Sequence, residues 1–449
     1  MTSDLDILVQ EELFWMRAQS DGIESELYVG RGRERTLSRR EGARDGVETA
    51  ESLGAGVRVA FEGRVGFASA GGADPETLRA LWRRAVEQLP HAEPDVKRVL
   101  PAHAREDFDD SAFAASLWDE TLFSRPWEAL ESGLIRAEAA ASTGGKTRVL
   151  RSELSESRVE SVVVNTLGVL ARGRGGSAAV EISAAAEDGD QTQVGDGFRA
   201  ARRFDALDLS SAGAEAARRA VSAIGARRAR AGRRAVILEP WVAAEFIEIL
   251  AELLSAEEIQ GGRSLLAGRI GAAIASPLVT LRDDPRRLGG PASARFDDEG
   301  VPTRDKALIE RGVLREILHD CLTAAREGVM SNGCAYRDGW GVLPGPAPSN
   351  LFLAPGPLSR EALVSDTRDG LLILEVLGTH MADPISGEFS VGVSGLEIEK
   401  GLPARPFKGA MIAGNLLELL SRVDAVADDL VFHGSFGAPT IRISALDVS

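Results

Sequence analysis

The stretch TRVLRSELSESRVESVVVNTLGVLARGRGGSAAVEISAAAEDG, residues 147–189, decides the fold class. Apolar and polar residues alternate along it in runs broken by Asn, Gly and Ser. That is the pattern of a meander of antiparallel strands. The β character continues to residue 205.

Working outward, ESELYVGRGRERTLSRR (24–40) also alternates as a strand, and residues 5–19 have helical periodicity. GVRVAFEGRVGFASA (56–70) holds two strand-like runs around Glu62-Gly63, a hairpin signal. A helix is predicted from Asp74, with Asp at the N-cap and Pro75 at the first turn. SRPWEALESGLIRAEAAAS (124–142) repeats that pattern with Ser124 as the cap, and a further capped helix ends at Gly225. The basic run RRARAGRR (227–234) reads as a solvated linker, since no aromatic residue interleaves it. It marks the boundary between an N-terminal α+β domain, 1–226, and a β-rich domain, 227–449.

The second half opens with the strand RAVILEP (234–240) and a helix over 241–255. Strand-like runs follow at 306–319, 350–353, 371–378, 388–399 and 439–446, and a helix over 412–426 breaks the series. The predicted class is α+β, two domains each with mostly antiparallel sheet and packed helices.

A formal charge of −16 argues against nucleic acid and anionic membrane as partners. Two cysteines, Cys321 and Cys334, match no redox or zinc spacing, which fits a reducing cytoplasm. The N-terminus has no basic region followed by an apolar run, so no secretory signal is expected, and no apolar run is long enough for a membrane span. The paired glycines at 30/32, 54/56 and 392/395 do not open a helix after a strand, so dinucleotide binding is not indicated.

The helix over 241–255 raises a sharper question. Glu245, Glu248 and Glu252 form a stripe on it, opposite Phe246, Ile249, Leu250, Leu253 and Leu254. Metallopeptidases place histidines at such helical spacings, and here there are none. Carboxylates alone make a poor zinc site. The histidines, His91, His103, His319, His380 and His433, form no ligand pair. The clusters RDD (282–284) and FDDEG (296–300) could hold Mg²⁺ or Ca²⁺, but Asp, Gly and Pro in this order are turn chemistry.

The segment GRIGAAIASPLVTLRDDP (268–285), the turn DDEGVPT (297–303), LIERGVL (308–314) and TAAREG (323–328) together resemble the TldD/PmbA family, also called modulators of DNA gyrase. PSNLFLAPG (348–356), GTHMADPISGEFSVGVSGLEIEKG (378–401), KGAMIAGNLLELL (408–420) and VADDLVFHGSFGAPTIRIS (426–444) extend the likeness, and GAGVRVAFEGRVGFAS (54–69) fits more loosely. The motif positions it implies as structural are Gly268, Arg269, Gly271, Asp297, Asp298, Glu299, Gly300, His380, Gly387, Phe389, Gly395, Gly414 and Asn415.

The resemblance implies two arms. The TldD arm is a zinc metalloprotease with an H-E-x-x-x-H helix and a cysteine ligand. The TldE/PmbA arm pairs with it and lacks those ligands. Counting back from Gly268 puts the motif's histidines at Ile247 and Glu252 and its glutamate at Glu248. The cysteine's G-x-C-G-K context has no counterpart in VFHGSFGAPT. The expectation is therefore a non-catalytic subunit of a heterodimeric metalloprotease acting on unfolded or leader peptides. It would hold no cofactor, and zinc would sit in a TldD-like partner. Alternatives are a self-associating binding protein, and a hydrolase with a displaced metal site using His319, Cys321 or His380.

Overall fold

A computed structural model describes residues 4–19, 22–95, 100–102, 111–142, 146–379, 382–383 and 385–449. Six strands build the N-terminal sheet: β1 (Glu24–Arg40), β2 (Ala43–Phe61), β3 (Arg64–Gly71), β4 (Thr147–Asn165), β5 (Leu170–Asp188) and β6 (Gln191–Ala201). Their order is β3-β2-β1-β4-β5-β6, antiparallel throughout. The stretch 147–189 is thus β4 and β5, long strands at the heart of the sheet.

Helices cover one face of this sheet at its two ends. Leu27 and Val29 of β1 and Val162 and Val164 of β4 form a core with α1 (Asp4–Gln19) and α2 (Pro75–Gln88). The short α3 (Ser111–Leu117) follows α2 in the chain. At the far end Leu37, Leu154, Val180 and Ile182 pack against α4 (Trp127–Ala141) and α5 (Leu209–Ser222).

The opposite face receives the C-terminal half of the chain. Trp340 lies flat on Gly54 of β2, so close that a Cβ there would sit 2.2 Å from Cε2 of the indole. Gly54→Ala is expected to lift Trp340 and cost about 1–3 kcal/mol, the usual range for overpacking. Urea denaturation measures it, and an unchanged midpoint would contradict this contact. Beside it, Arg58 of β2 is buried between Glu26 of β1 and Glu299.

The C-terminal half opens with β7 (Gly232–Leu238), α6 (Pro240–Leu253) and α7 (Ala256–Gln260). Then come β8 (Leu281–Asp283), β9 (Lys306–Glu310), β10 (Val313–Leu314), α8 (Cys321–Glu327), and the pair β11 (Ala335–Tyr336) and β12 (Gly345–Pro346). β13 (Leu351–Leu353), α9 (Arg360–Ser365), β14 (Asp369–Leu377), β15 (Glu388–Glu399) and β16 (Leu402–Asn415) follow. The chain closes with α10 (Leu416–Ser421), β17 (Val423–Val426), β18 (Val431–His433), β19 (Phe436–Ala438) and β20 (Ile441–Val448). One sheet runs β16-β15-β14-β7-β20-β17, the other β10-β9-β8-β13-β19-β18. Only β14–β7 and β13–β19 pair in parallel among them. A single core joins both sheets to α6 through Leu238, Leu281, Leu351, Ile373, Phe246 and Leu250. The fold is α+β.

Several local expectations are corrected. Asp74 caps α2 through Thr77 N, but Ser124 does not cap α4. Its hydroxyl donates to Thr121 O, and Pro126 is the N-cap. The residue before a proline avoids the helical region, so the helix cannot start at Arg125. The helix expected over 412–426 shrinks to Leu416–Ser421, because its flanks pair as strands β16 and β17. The run 306–319 is a short hairpin turning at Arg311-Gly312, both at positive φ. The basic run is not a solvated linker throughout. Arg234 lies in β7, bound to Asp369 and Glu397, with its side chain 9% exposed.

Candidate functional site

The helix α6 (Pro240–Leu253) carries Ile247, Glu248 and Glu252, the positions expected to match the family's zinc motif. Glu239 and Pro240 begin it, and Pro supplies a pre-set φ at the first turn. The Glu239 carboxylate does not cap the helix. It accepts from Arg218 of α5 at 3.1 Å and Arg360 of α9 at 3.3 Å. Ile247 points into the shared core and is 2% exposed. Glu248 and Glu252 are exposed on the other side. Partial burial pushes the Glu248 carboxyl above its ordinary range, and Glu252 adds to this.

That donor set is a poor match for zinc. Tetrahedral zinc takes nitrogen and sulfur ligands with short bonds. Here an aliphatic side chain stands in the core at one histidine position, a carboxylate stands at the other, and Glu248 falls at the motif's glutamate. The residues do not fit the ion. Among the described residues no group of three or more His, Cys, Asp or Glu side chains is arranged to hold a metal.

A groove of about 950 Å³ runs along the first turn of α6, between α5, β6 and β18. Trp241 stacks on His433 of β18 with centroids 3.6 Å apart, and Phe198 of β6 meets both rings edge-on. Glu245, one turn on, accepts from Trp241 Nε1 at 3.2 Å and from Thr379 Oγ1 at 3.1 Å. Burial raises its pKa and lowers that of His433. At neutral pH the imidazole is therefore uncharged, and it backs the Trp241 ring. Sequence reading missed this groove, treating His433 as isolated and naming neither Phe198 nor Trp241. Only the Pro-Trp pair at a helix start hinted at it.

The motif residues fall in three places. Gly268 and Gly271 take positive φ in an exposed loop with Arg269 between them. The turn 297–300 is buried under the N-terminal sheet. Asp297 accepts from the amides of Glu299, Val301 and Ala335, and Asp298 accepts from that of Arg337. Gly300 has φ +81°, and a Cβ there would meet Val169. The third group frames α6. Phe389 meets Phe246 edge-on at 5.3 Å, and Gly414 lies beside Phe389. Asn415 caps α10 and donates to Ser386 O, next to Gly387 at φ +74°. Gly395 lets β15 approach β14, since its Cβ would fall 2.0 Å from Leu372 O. His380 lies outside the described residues, as does His103.

The other described candidates make local contacts. Asp283 binds Lys306 at 2.9 Å inside the protein. His319 is buried, its nearest carboxylate Glu327 at 3.6 Å, and burial holds its pKa down. Burial, with Glu299 beside it, pushes the Cys321 thiol far up, which disfavours the thiolate a metal needs.

The fold defines a mixed α+β protein of three six-stranded sheets, and comparison with known proteins specifies its family. Successive family models match the chain: PmbA/TldA metallopeptidase domain 1 over residues 25–89, the central domain over 126–224 and the C-terminal domain over 231–449. The chain belongs to the PmbA/TldD metallopeptidase family. Strands β1–β3 and β4–β6 fall in separate models yet form one sheet. The chain is similar to a metalloprotease of Methanothermobacter thermautotrophicus, 29% identical over 90% of this chain and 88% of that one. It is 26% identical to metalloprotease PmbA of Escherichia coli O157:H7, over 99% and 96%. A Thermotoga maritima protein described as a modulator of a DNA gyrase superimposes with TM-score 0.89 at 26% identity, over 99% of this chain and 100% of that one. TldE of Thermococcus kodakarensis shares the fold, with TM-score 0.89 at 23% identity over 98% and 100%.

Proposed function

We propose that this chain is the zinc-ligand-free subunit of a TldD/TldE-type metalloprotease, inactive alone and paired with a TldD-type subunit that supplies the zinc. The observation that carries the reading is Ile247: the first ligand position of the family's catalytic helix is filled by a core side chain. The aromatic groove beside α6 is the place for this chain to hold an unfolded or leader peptide. Phe198 and Trp241 line it and offer apolar contact, which suits segments without folded structure. A cytoplasmic setting accords with the free Cys321 and Cys334, and no helix among the described residues is long and apolar enough to cross a membrane.

The purified chain is expected to retain far less than one zinc per molecule after dialysis. Elemental analysis decides it. Stoichiometric zinc would overturn the subunit reading and favour a displaced metal site.

A further inference from the structure

The helix-bearing face of the N-terminal sheet is covered by helices at both ends, and the rows between them, its waist, carry arginines under the Trp118 and Phe123 rings. Register fixes the rows. Leu27 and Val29 of β1 lie opposite Val164 and Val162 under α1 and α2, and Leu37 lies opposite Leu154 under α4 and α5. Between them Arg31 faces Glu160, Arg33 faces Arg158, and Arg35 faces Glu156. Glu160 in turn faces Arg174 of β5. Strand alternation puts all of these on the same face as the apolar ends.

Guanidiniums outnumber carboxylates here. Arg35 is buried on Glu156, with Nε 2.6 Å from Oε2. Arg33 reaches Glu51 at 3.1 Å and is half exposed. Arg158 stands directly across from Arg33. Among the described residues it donates only to the Asp119 carbonyl, and its buried Nε–H has no acceptor there. Like charges directly opposite across a ladder destabilise a sheet. Arg31 and Arg174 are exposed, and neither forms an ion pair with any described carboxylate. A chain of net charge −16 has left cations gathered at one spot.

Two rings lie between them. Phe123 sits at φ +62°, strained for a bulky residue. Its ring lies 4.7 Å from the Arg33 guanidinium, 5.3 Å from Arg35 and 5.7 Å from Arg158. Trp118 carries Arg158 at 4.7 Å and Arg174 at 5.4 Å. Ring faces attract guanidiniums and fix their planes, which pre-organises them for carboxylates.

We propose that this waist docks an extended acidic peptide segment through Arg31, Arg33, Arg158 and Arg174. Successive rows are about 7 Å apart, the same repeat as alternate side chains of an extended peptide. Arginine forks take carboxylates in pairs of parallel hydrogen bonds. A nucleic acid suits the surface less. The ring faces are occupied by guanidiniums rather than free for bases, and Glu51 and Glu160 interrupt any phosphate track. The inference goes beyond the subunit reading and does not rest on it.

The test uses the purified full-length chain alone and a fluorescein-labelled peptide of about twelve residues alternating Glu and Ser, in ~50 mM salt where screening is modest. Fluorescence anisotropy should give saturable binding that weakens at least ~10-fold in Arg31→Gln/Arg174→Gln, as loss of charge-assisted contacts implies. Arg84→Gln, an exposed change on α2, should leave it unaltered. Thermal melts check that the double variant is folded. No saturable binding, equal affinity in the double variant, or tighter binding of a single-stranded oligonucleotide of equal charge would each overturn the proposal.

Discussion

Replacing Arg58 by methionine is expected to destabilise the chain by about 3–5 kcal/mol at pH 7, the range seen when one partner of a buried ion pair is removed. Arg58 is buried, donating from Nη2 to Glu26 at 2.6 Å and from Nη1 to Glu299 at 2.8 Å. Glu299 is fully buried and also accepts from Cys321 N. Burial already pushes the Glu299 pKa up, and Arg58 is the main influence pulling it back. Without Arg58, Glu26 and Glu299 face each other with only Arg337 to neutralise them. The folded-state pKa of Glu299 then rises further above the unfolded one. A raised carboxylate pKa means stability present at low pH and lost as pH rises through it. The deficit should therefore shrink as pH falls toward about 5, close to the unfolded carboxylate range. Arg58→Met/Glu299→Gln should recover part of the loss. Urea midpoints at both pH values measure this, and a deficit below ~1 kcal/mol at pH 7 would show the cluster tolerates an unpaired carboxylate. The effect reaches past one pair, because Glu26 and Arg58 belong to the N-terminal sheet and Glu299 and Arg337 to the C-terminal half.

The parts of this molecule that were legible in its sequence are those fixed by neighbours in the chain. Asp74-Pro75 announces α2, and alternation over 147–189 announces β4 and β5. The start of α4 turned on a neighbour too, but Pro126 outweighed Ser124. The helix over 412–426 was misread because its apolar spacing suits a helix, while Ile412 and Val423 obey strands far away in sequence. The functional positions were legible only through family likeness, which located Ile247, Glu248 and Glu252 without showing that Ile247 is core. Nothing local announces the groove, since Phe198, Trp241 and His433 come from three segments. The waist was hidden for the same reason. RGRER reads as an ordinary alternating strand, and the clash of Arg33 with Arg158 exists only once β1 and β4 are in register.

Glu248→Gln in this chain is expected to leave a reconstituted complex with a TldD-type subunit fully active, whereas the same change at the partner's motif glutamate should abolish turnover. A glutamate on such a helix acts as general base only when a metal-held water lies within hydrogen-bond reach. In this chain Ile247 is packed in the core and offers no donor atom to hold a metal over Glu248. Its carboxylate is exposed and makes no described hydrogen bond or ion pair. A raised pKa alone gives it nothing to deprotonate. Substitution at such a position typically changes stability by within about 0.5 kcal/mol, so the complex should assemble normally. The Phe198–Trp241–His433 groove behaves differently. Trp241→Ala should weaken peptide use while leaving zinc in the partner, because it removes contact area rather than chemistry. The assay is cleavage of an unstructured peptide by complexes assembled from separately purified subunits, with assembly followed by light scattering. Loss of turnover from Glu248→Gln in this chain, with assembly intact, would place chemistry on this α6 and remove the ground for reading it as the ligand-free subunit.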